Sequence, residues 1–182
     1  MPAYNLSYVA DWEVDATAPV SVVFWGENPN DEEYSYIGSE ILNLKRHILI
    51  VEDEHINQMI LGNMLEEDYE VLYASDGNEA LEQVKTPKDD LAIMLLDLQM
   101  PQMSGMEVLK VMKEEKELKD IPVIVMTADQ SAEVECLKFG AMDFIPKPYP
   151  SPEIVQTRVN RCIELTEKRN IISSTERDSL TN

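Results

Sequence analysis

The sequence predicts an α/β fold, a doubly wound five-stranded parallel sheet with helices on both faces, carrying an N-terminal extension and a long C-terminal helix. Three observations lead there. From Arg46 onward the chain repeats one theme: a short apolar run, a polar residue closing it, then a stretch of helical spacing. The runs are continuous rather than alternating, the pattern of strands buried on both faces of a parallel sheet. Strand and helix in alternation, joined by right-handed crossovers, close into a doubly wound sandwich.

The elements follow in order. The runs are Ile48-Leu49-Ile50-Val51, Val71-Leu72-Tyr73-Ala74, Leu91 through Leu96, Val123-Ile124-Val125-Met126 and the shorter Phe144-Ile145. After the first run, Ile56, Met59, Ile60 and Met64 form one helical stripe of the kind that covers a sheet. Ser104 followed by Glu107 reads as a capping box ahead of Val108, Leu109 and Met112. Gly140 is placed to end the helix carrying Leu137, and Ser151-Pro152 supplies an N-cap and a first-turn proline. Glu153 to about Ser174 reads as one long helix with apolar Val155, Val159, Cys162, Ile171 and Ile172, its heptad interrupted at Thr166 and Arg169.

Composition sets the class of partner. The 182 residues hold 35 Asp plus Glu against 15 Lys plus Arg, a net charge of −20, which repels nucleic acid and anionic lipid. A hydrophobic content of 44% suffices for a core. No apolar run approaches the roughly 20 residues of a membrane span, and no basic segment leads into an apolar one, so a cytoplasmic protein is expected. Cys136 and Cys162 lie in helical stretches without metal or disulfide spacing. His47 and His55 read as structural or surface residues, and the ten methionines, Met94, Met100, Met103, Met106 and Met112 among them, as packing.

The charge is uneven. Residues 1–44 hold eight acids and no Lys or Arg, whereas residues 45–170 mix 25 acids with 14 bases. This predicts an extension over 1–45, the α/β domain over 46–168 and a linker over 169–182. The extension carries Tyr4, Tyr8, Trp12, Phe24, Trp25, Tyr34 and Tyr36, more aromatics than a disordered tail usually holds. Val20 to Trp25 reads as a strand ending at Gly26 before an Asn28-Pro29-Asn30 turn, so a hairpin packed on the domain or on a second subunit is expected.

In a doubly wound sheet the loops at the carboxyl ends of the strands converge on one crevice. The closing residues are Glu52 and Asp53, then Asp97, Thr127 and Lys147. Carboxylates gathered there repel one another and raise one another's pKa unless a cation relieves them, and an all-oxygen set suits Mg²⁺. Lys147 and Thr127 can bind phosphoryl oxygens, and Asp97, closing the central run, is the natural nucleophile for phosphoryl transfer.

Four spans, Ile48-Leu49-Ile50-Val51-Glu52-Asp53-Glu54, Leu95-Leu96-Asp97 through Gly105, Val125-Met126-Thr127-Ala128 and Gly140 through Lys147-Pro148, closely resemble the receiver domain of two-component response regulators, a flavodoxin-like fold. The resemblance covers about residues 46–168 and implies that Asp97 accepts phosphate from a histidine kinase or phosphotransfer protein. It implies Mg²⁺ held by Asp53, Asp97 and the Gln99 carbonyl, with Glu52 helping directly or through water, and a switch pair of Thr127 and Phe144. Gln99 and Asp129 occupy positions resembling tuners of dephosphorylation, and the Lys147-Pro148 peptide resembles one commonly cis. The family position of Glu52 has one methylene more here than an aspartate, and Phe144 lacks a tyrosine's hydroxyl. Residues 175–182 resemble the opening of a diguanylate cyclase (GGDEF) domain, which would make the chain a piece ending just before its output; a homodimer is the other expected association.

The expected function is therefore a phosphoacceptor, not an enzyme in its own right, switching an output through the face of its fourth helix, fifth sheet strand and fifth helix. The alternative is an interaction module that keeps the fold and signals by binding alone. A flavodoxin-like small-molecule binder shares the architecture, but Glu52 to Asn57 presents acids where such a protein needs a phosphate cradle.

Overall fold

The apolar runs become strands and the segments between them become helices. The computed structural model describes residues 20–27, 34–42, 45–85 and 91–179, with side chains described within 45–85 and 91–172 except that of Gln130. The chain divides into two units between Lys45 and Arg46.

In the first unit, β1 (Val20–Glu27) pairs antiparallel with β2 (Tyr34–Leu42), from Val20 opposite Leu42 to Glu27 opposite Tyr34, with an irregularity between Phe24 and Trp25. The strand expected from Val20 is present and has a partner. The Asn28-Pro29-Asn30 turn and Tyr4, Tyr8 and Trp12 lie outside the described residues.

In the second unit, β3 (Arg46–Val51), α1 (His55–Leu65), β4 (Tyr69–Ala74), α2 (Gly77–Lys85), β5 (Leu91–Asp97), α3 (Gly105–Glu114), β6 (Val123–Thr127), α4 (Glu133–Lys138), β7 (Asp143–Pro146) and α5 (Pro152–Ser179) follow in order, with a 3₁₀ turn at Gln130–Ala132 before α4. The five strands β3 to β7 form one parallel sheet in the order β4-β3-β5-β6-β7. The chain leaves β3 toward one edge and then crosses to β5 on the other side. The carboxyl ends of β3 and β5 therefore flank the crevice at the switch point.

Alternation along each strand divides the interior into two layers. Leu49, Val51, Leu96 and Val125 face one way, against Ala80 of α2, Val108, Leu109 and Met112 of α3 and Cys136 of α4. Ile48, Ile50, Leu95 and Met126 face the other, against Leu61 and Leu65 of α1 and Val155, Val159 and Cys162 of α5. The capping box forms: Ser104 Oγ accepts from the Glu107 N–H, and the Glu107 carboxylate accepts from the Ser104 N–H at 2.9 Å. Gly140 follows α4 at φ 96°, left-handed backbone that ends the helix, and Pro152 opens α5. Both cysteines are buried free thiols.

One expectation is corrected. The stripe Ile56, Met59, Ile60 and Met64 is not the face of α1 that covers the sheet: Ile56, Met59 and Ile60 are 71%, 53% and 40% exposed, and only Met64 packs against the core. The inward positions are Gln58, Leu61, Gly62 and Leu65. Two polar requirements set this rotation. The Gln58 amide donates to the carbonyls of Glu52 (2.7 Å) and Ala74 (3.5 Å), and Gly62 lies under Tyr73, whose hydroxyl any Cβ there would overlap.

Candidate functional site

The expected site residues arrive at the crevice on separate elements. Glu52 and Asp53 follow β3, Asp97 ends β5, Thr127 ends β6, and Lys147 follows β7. Glu52, Asp97 and Thr127 are buried, at 0%, 2% and 1% exposure, while Asp53 is exposed at the mouth. Asp97 is brought to the surface of the sheet by a tight loop: the Gly105 N–H donates to the Leu98 carbonyl (3.2 Å), so close that a Cβ at Gly105 would overlap the Asp97 carbonyl oxygen.

Lys147 is the centre of the arrangement. Its ammonium donates to Glu52 Oε2 at 2.7 Å and to Asp97 Oδ2 at 2.6 Å. The other Asp97 oxygen, Oδ1, accepts from the Gln99 N–H at 3.1 Å, which places the Gln99 peptide at the site. Burial pushes Asp97 above the ordinary carboxylate range, against the Lys147 and Gln99 hydrogen bonds and with the help of the Glu52 charge. For Lys147, burial works to lower the pKa, but the hydrogen bonds to Asp97 and Glu52 prevail and hold it above the ordinary value.

Thr127 Oγ1 accepts from the Asp129 N–H at 3.0 Å, leaving its own hydroxyl proton to be donated. The Asp129 carboxylate is exposed and accepts from the Ser131 hydroxyl (2.6 Å) and N–H (2.9 Å), which lower its pKa. Phe144 is buried on β7 beside Val125, and strand alternation puts it on the same face as Thr127. The Lys147-Pro148 peptide is cis. His47 contacts Glu70 at 3.3 Å and His55 contacts Gln58 at 3.4 Å, and neither joins the acidic group.

Three participants escaped the sequence reading. The Tyr149 hydroxyl donates to Glu52 Oε2 at 3.0 Å, the Asn57 amide donates to Glu52 Oε1 at 3.2 Å, and Gln58 fixes the Glu52 carbonyl. Burial, then the Glu52 charge, raises the Tyr149 pKa far enough to keep the phenol protonated. The available signal was its place two residues beyond Lys147.

Glu52, Asp53 and Asp97 each offer one carboxylate oxygen within 4.8 Å of the other two, a hard, all-oxygen set that fits a divalent cation such as Mg²⁺. A family model for the response regulator receiver domain matches residues 48–158. The chain belongs to the response regulator receiver family. It is 35% identical over 134 residues to the transcriptional regulatory protein SrrA of Staphylococcus aureus, covering 72% of this chain and 53% of that one. It is 33% identical over 127 residues to the alkaline phosphatase synthesis transcriptional regulatory protein PhoP of Bacillus subtilis, covering 68% and 51%. The chain thus spans about half the length of these regulators, and 8% of hybrid signal transduction histidine kinase D of Dictyostelium discoideum, to which it is 30% identical. Among solved structures, the signal receiver domain of a histidine kinase from Syntrophus aciditrophicus superposes with a TM-score of 0.59 at 31% identity, over 65% of this chain and 90% of that one. The receiver domain of a sensor histidine kinase from Pseudomonas aeruginosa PAO1, solved with a magnesium ion in its active-site cleft, gives 0.60 at 26% identity, over 66% and 99%.

Receivers are phosphoacceptor signalling domains of two-component systems, phosphorylated by histidine kinases or phosphotransfer proteins, and they bind Mg²⁺ at their acidic site. Among the described residues, no helix is long and apolar enough to cross a membrane.

Proposed function

We propose that Asp97 is the phosphoacceptor of this receiver, and the observation that carries the proposal is the Lys147 ammonium bound at once to the buried carboxylates of Asp97 and Glu52. The Asp97 carboxylate attacks the phosphorus of a phosphohistidine. The new bond is P–O, the bond broken is P–N, and the leaving imidazole takes up a proton. Lys147 shifts its charge from the free carboxylate to the phosphoryl oxygens, and the Thr127 hydroxyl donates to another of them. Asp53, Asp97 and the Gln99 carbonyl would hold Mg²⁺, with Glu52 contributing directly or through water. Bound there, the ion would neutralise carboxylate and phosphoryl charge together.

Further features support the signalling role. Ile56, Met59 and Ile60 expose apolar surface on the helix that starts at the acidic loop, where a histidine donor must approach Asp97. Thr127 and Phe144 share the face of the sheet that α4 covers, and the Phe144 ring is buried there, so movement of the threonine hydroxyl toward a phosphoryl group would change the packing of the ring and of the α4 and β7 surface beside it. α5 continues to Ser179, and Ile171 and Ile172 on it are exposed, which suits a helix coupling the receiver to an output such as a diguanylate cyclase or to a second copy. The −20 charge argues for a partner that is neither nucleic acid nor membrane.

A small phosphodonor such as acetyl phosphate tests the assignment. The wild-type protein should be labelled in Mg²⁺ and not in EDTA, and Asp97→Asn should take no label. Persistent labelling of that variant would overturn it.

A further inference from the structure

We infer that Tyr149 is a positioning residue: its hydroxyl completes a cage of four donors that withholds the Glu52 carboxylate from direct ligation of the cation. The inference rests on the reading of this crevice as a Mg²⁺-dependent phosphoacceptor site. A carboxylate offers about four lone-pair positions. On Glu52 all four are taken. Oε2 accepts from Lys147 Nζ (2.7 Å) and the Tyr149 hydroxyl (3.0 Å), and Oε1 accepts from the Glu54 N–H (3.3 Å) and Asn57 Nδ2 (3.2 Å). The carboxylate is fully buried, so no water replaces a donor that leaves without the cage opening.

The donors are not equivalent. Lys147 is shared with Asp97 and is drawn toward an arriving phosphoryl group. Among the described residues Tyr149 has no such competing acceptor: its ring packs against the α1 and α5 layer, and its hydroxyl reaches Glu52 from there. The extra methylene of Glu52 is what carries Oε2 out to this hydroxyl, so Glu52 and Tyr149 form a matched pair. With Glu52 caged, direct ligation falls to Asp53 and Asp97, whose carboxylates are not enclosed in this way.

Isothermal titration of Mg²⁺ into the full chain, metal-free, tests this with wild type, Tyr149→Phe, Glu52→Asp and the double variant. Removing the hydroxyl frees a lone pair to ligate, so Tyr149→Phe should bind Mg²⁺ about three- to ten-fold more tightly, the scale of a partly compensated hydrogen bond to a charged acceptor. In the Glu52→Asp background the same change should alter affinity less than about two-fold, because the shorter acid no longer meets the hydroxyl. Asn57→Leu, which strips a donor from Oε1, should also tighten binding and keeps the test open should Tyr149→Phe fold poorly. General damage loosens a cation site, so tightening that appears with Glu52 and not with Glu52→Asp marks release of the caged acceptor. Unchanged or weaker binding in Tyr149→Phe, or an equal effect in both backgrounds, overturns the inference while the phosphoacceptor reading stands. A wild-type protein that binds no Mg²⁺ at millimolar concentration overturns both.

Discussion

Replacing Lys147 with methionine keeps most of the side-chain volume and deletes the one ammonium held between two buried carboxylates. Its Nζ lies 2.7 Å from Glu52 and 2.6 Å from Asp97, with the lysine side chain 18% exposed and the two acids 0% and 3%. Removing one partner of a buried ion pair costs about 3–5 kcal/mol, because the remaining charge stays desolvated. Here the lower end applies: Lys147 keeps some contact with water, and Asp97, already pushed toward its acid form by burial, can take a proton. The expected loss in EDTA at neutral pH is about 3 kcal/mol. Mg²⁺ can supply the missing positive charge, and it meets no competing ammonium in the variant, so it should stabilise the variant more than the wild type. At saturating Mg²⁺ the gap closes by the difference between the two stabilisations, about 1.4 kcal/mol for each tenfold by which the variant binds the ion more tightly than the wild type. Urea unfolding followed by far-UV circular dichroism, with EDTA and with saturating Mg²⁺, measures both quantities. A loss below about 1 kcal/mol in EDTA, or a gap that Mg²⁺ leaves unchanged, would refute the reasoning.

Three other outcomes follow from the same geometry. Gly105→Ala should cost about 3 kcal/mol or more and depress acetyl phosphate labelling, since its Cβ would overlap the Asp97 carbonyl and stand 2.8 Å from the Leu98 Cα, both rigid backbone; a thermal melt with parallel labelling checks it. Ser104→Ala removes the capping hydroxyl of α3 and should cost about 1 kcal/mol in urea with the site's chemistry intact. Asp97→Asn should stabilise the metal-free protein at pH 7. Burial raises the folded pKa above the unfolded one, so the penalty for the charge is absent when both states are protonated, grows as pH rises between the two values and is constant above them. The gain should therefore fade below about pH 4, which urea titrations across pH would detect.

The strands and their closing residues were legible because a buried parallel strand must be apolar along its whole length, so Glu52, Asp97, Thr127 and Lys147 stand out where each run stops. The capping box at Ser104 and the αL stop at Gly140 were legible for a local reason: both are satisfied within a few residues of sequence. The α1 face was not. Positions 58, 61, 62 and 65 have the same helical spacing as an apolar stripe, but Gln58 and Gly62 count against them until Tyr73 and the carbonyls of Glu52 and Ala74 are in view. The hairpin was expected but the bounds of its second strand, β2, were not, because Gly38, Ser39 and Glu40 dilute its apolar character and its register on β1 is set only by pairing. Tyr149 lies 97 residues from Glu52, and no pattern in sequence ties a phenol to a carboxylate at that distance.

The central claim is that the acyl phosphate forms on Asp97, and reductive mapping reads it at the atom. After brief treatment with acetyl phosphate and Mg²⁺, borohydride converts a phosphorylated aspartate to homoserine, which peptide mass spectrometry locates. Homoserine at position 97, absent when Mg²⁺ is chelated, is the predicted result. Its appearance at position 53 instead, or a labelled protein whose residue 97 remains aspartate, would contradict the assignment.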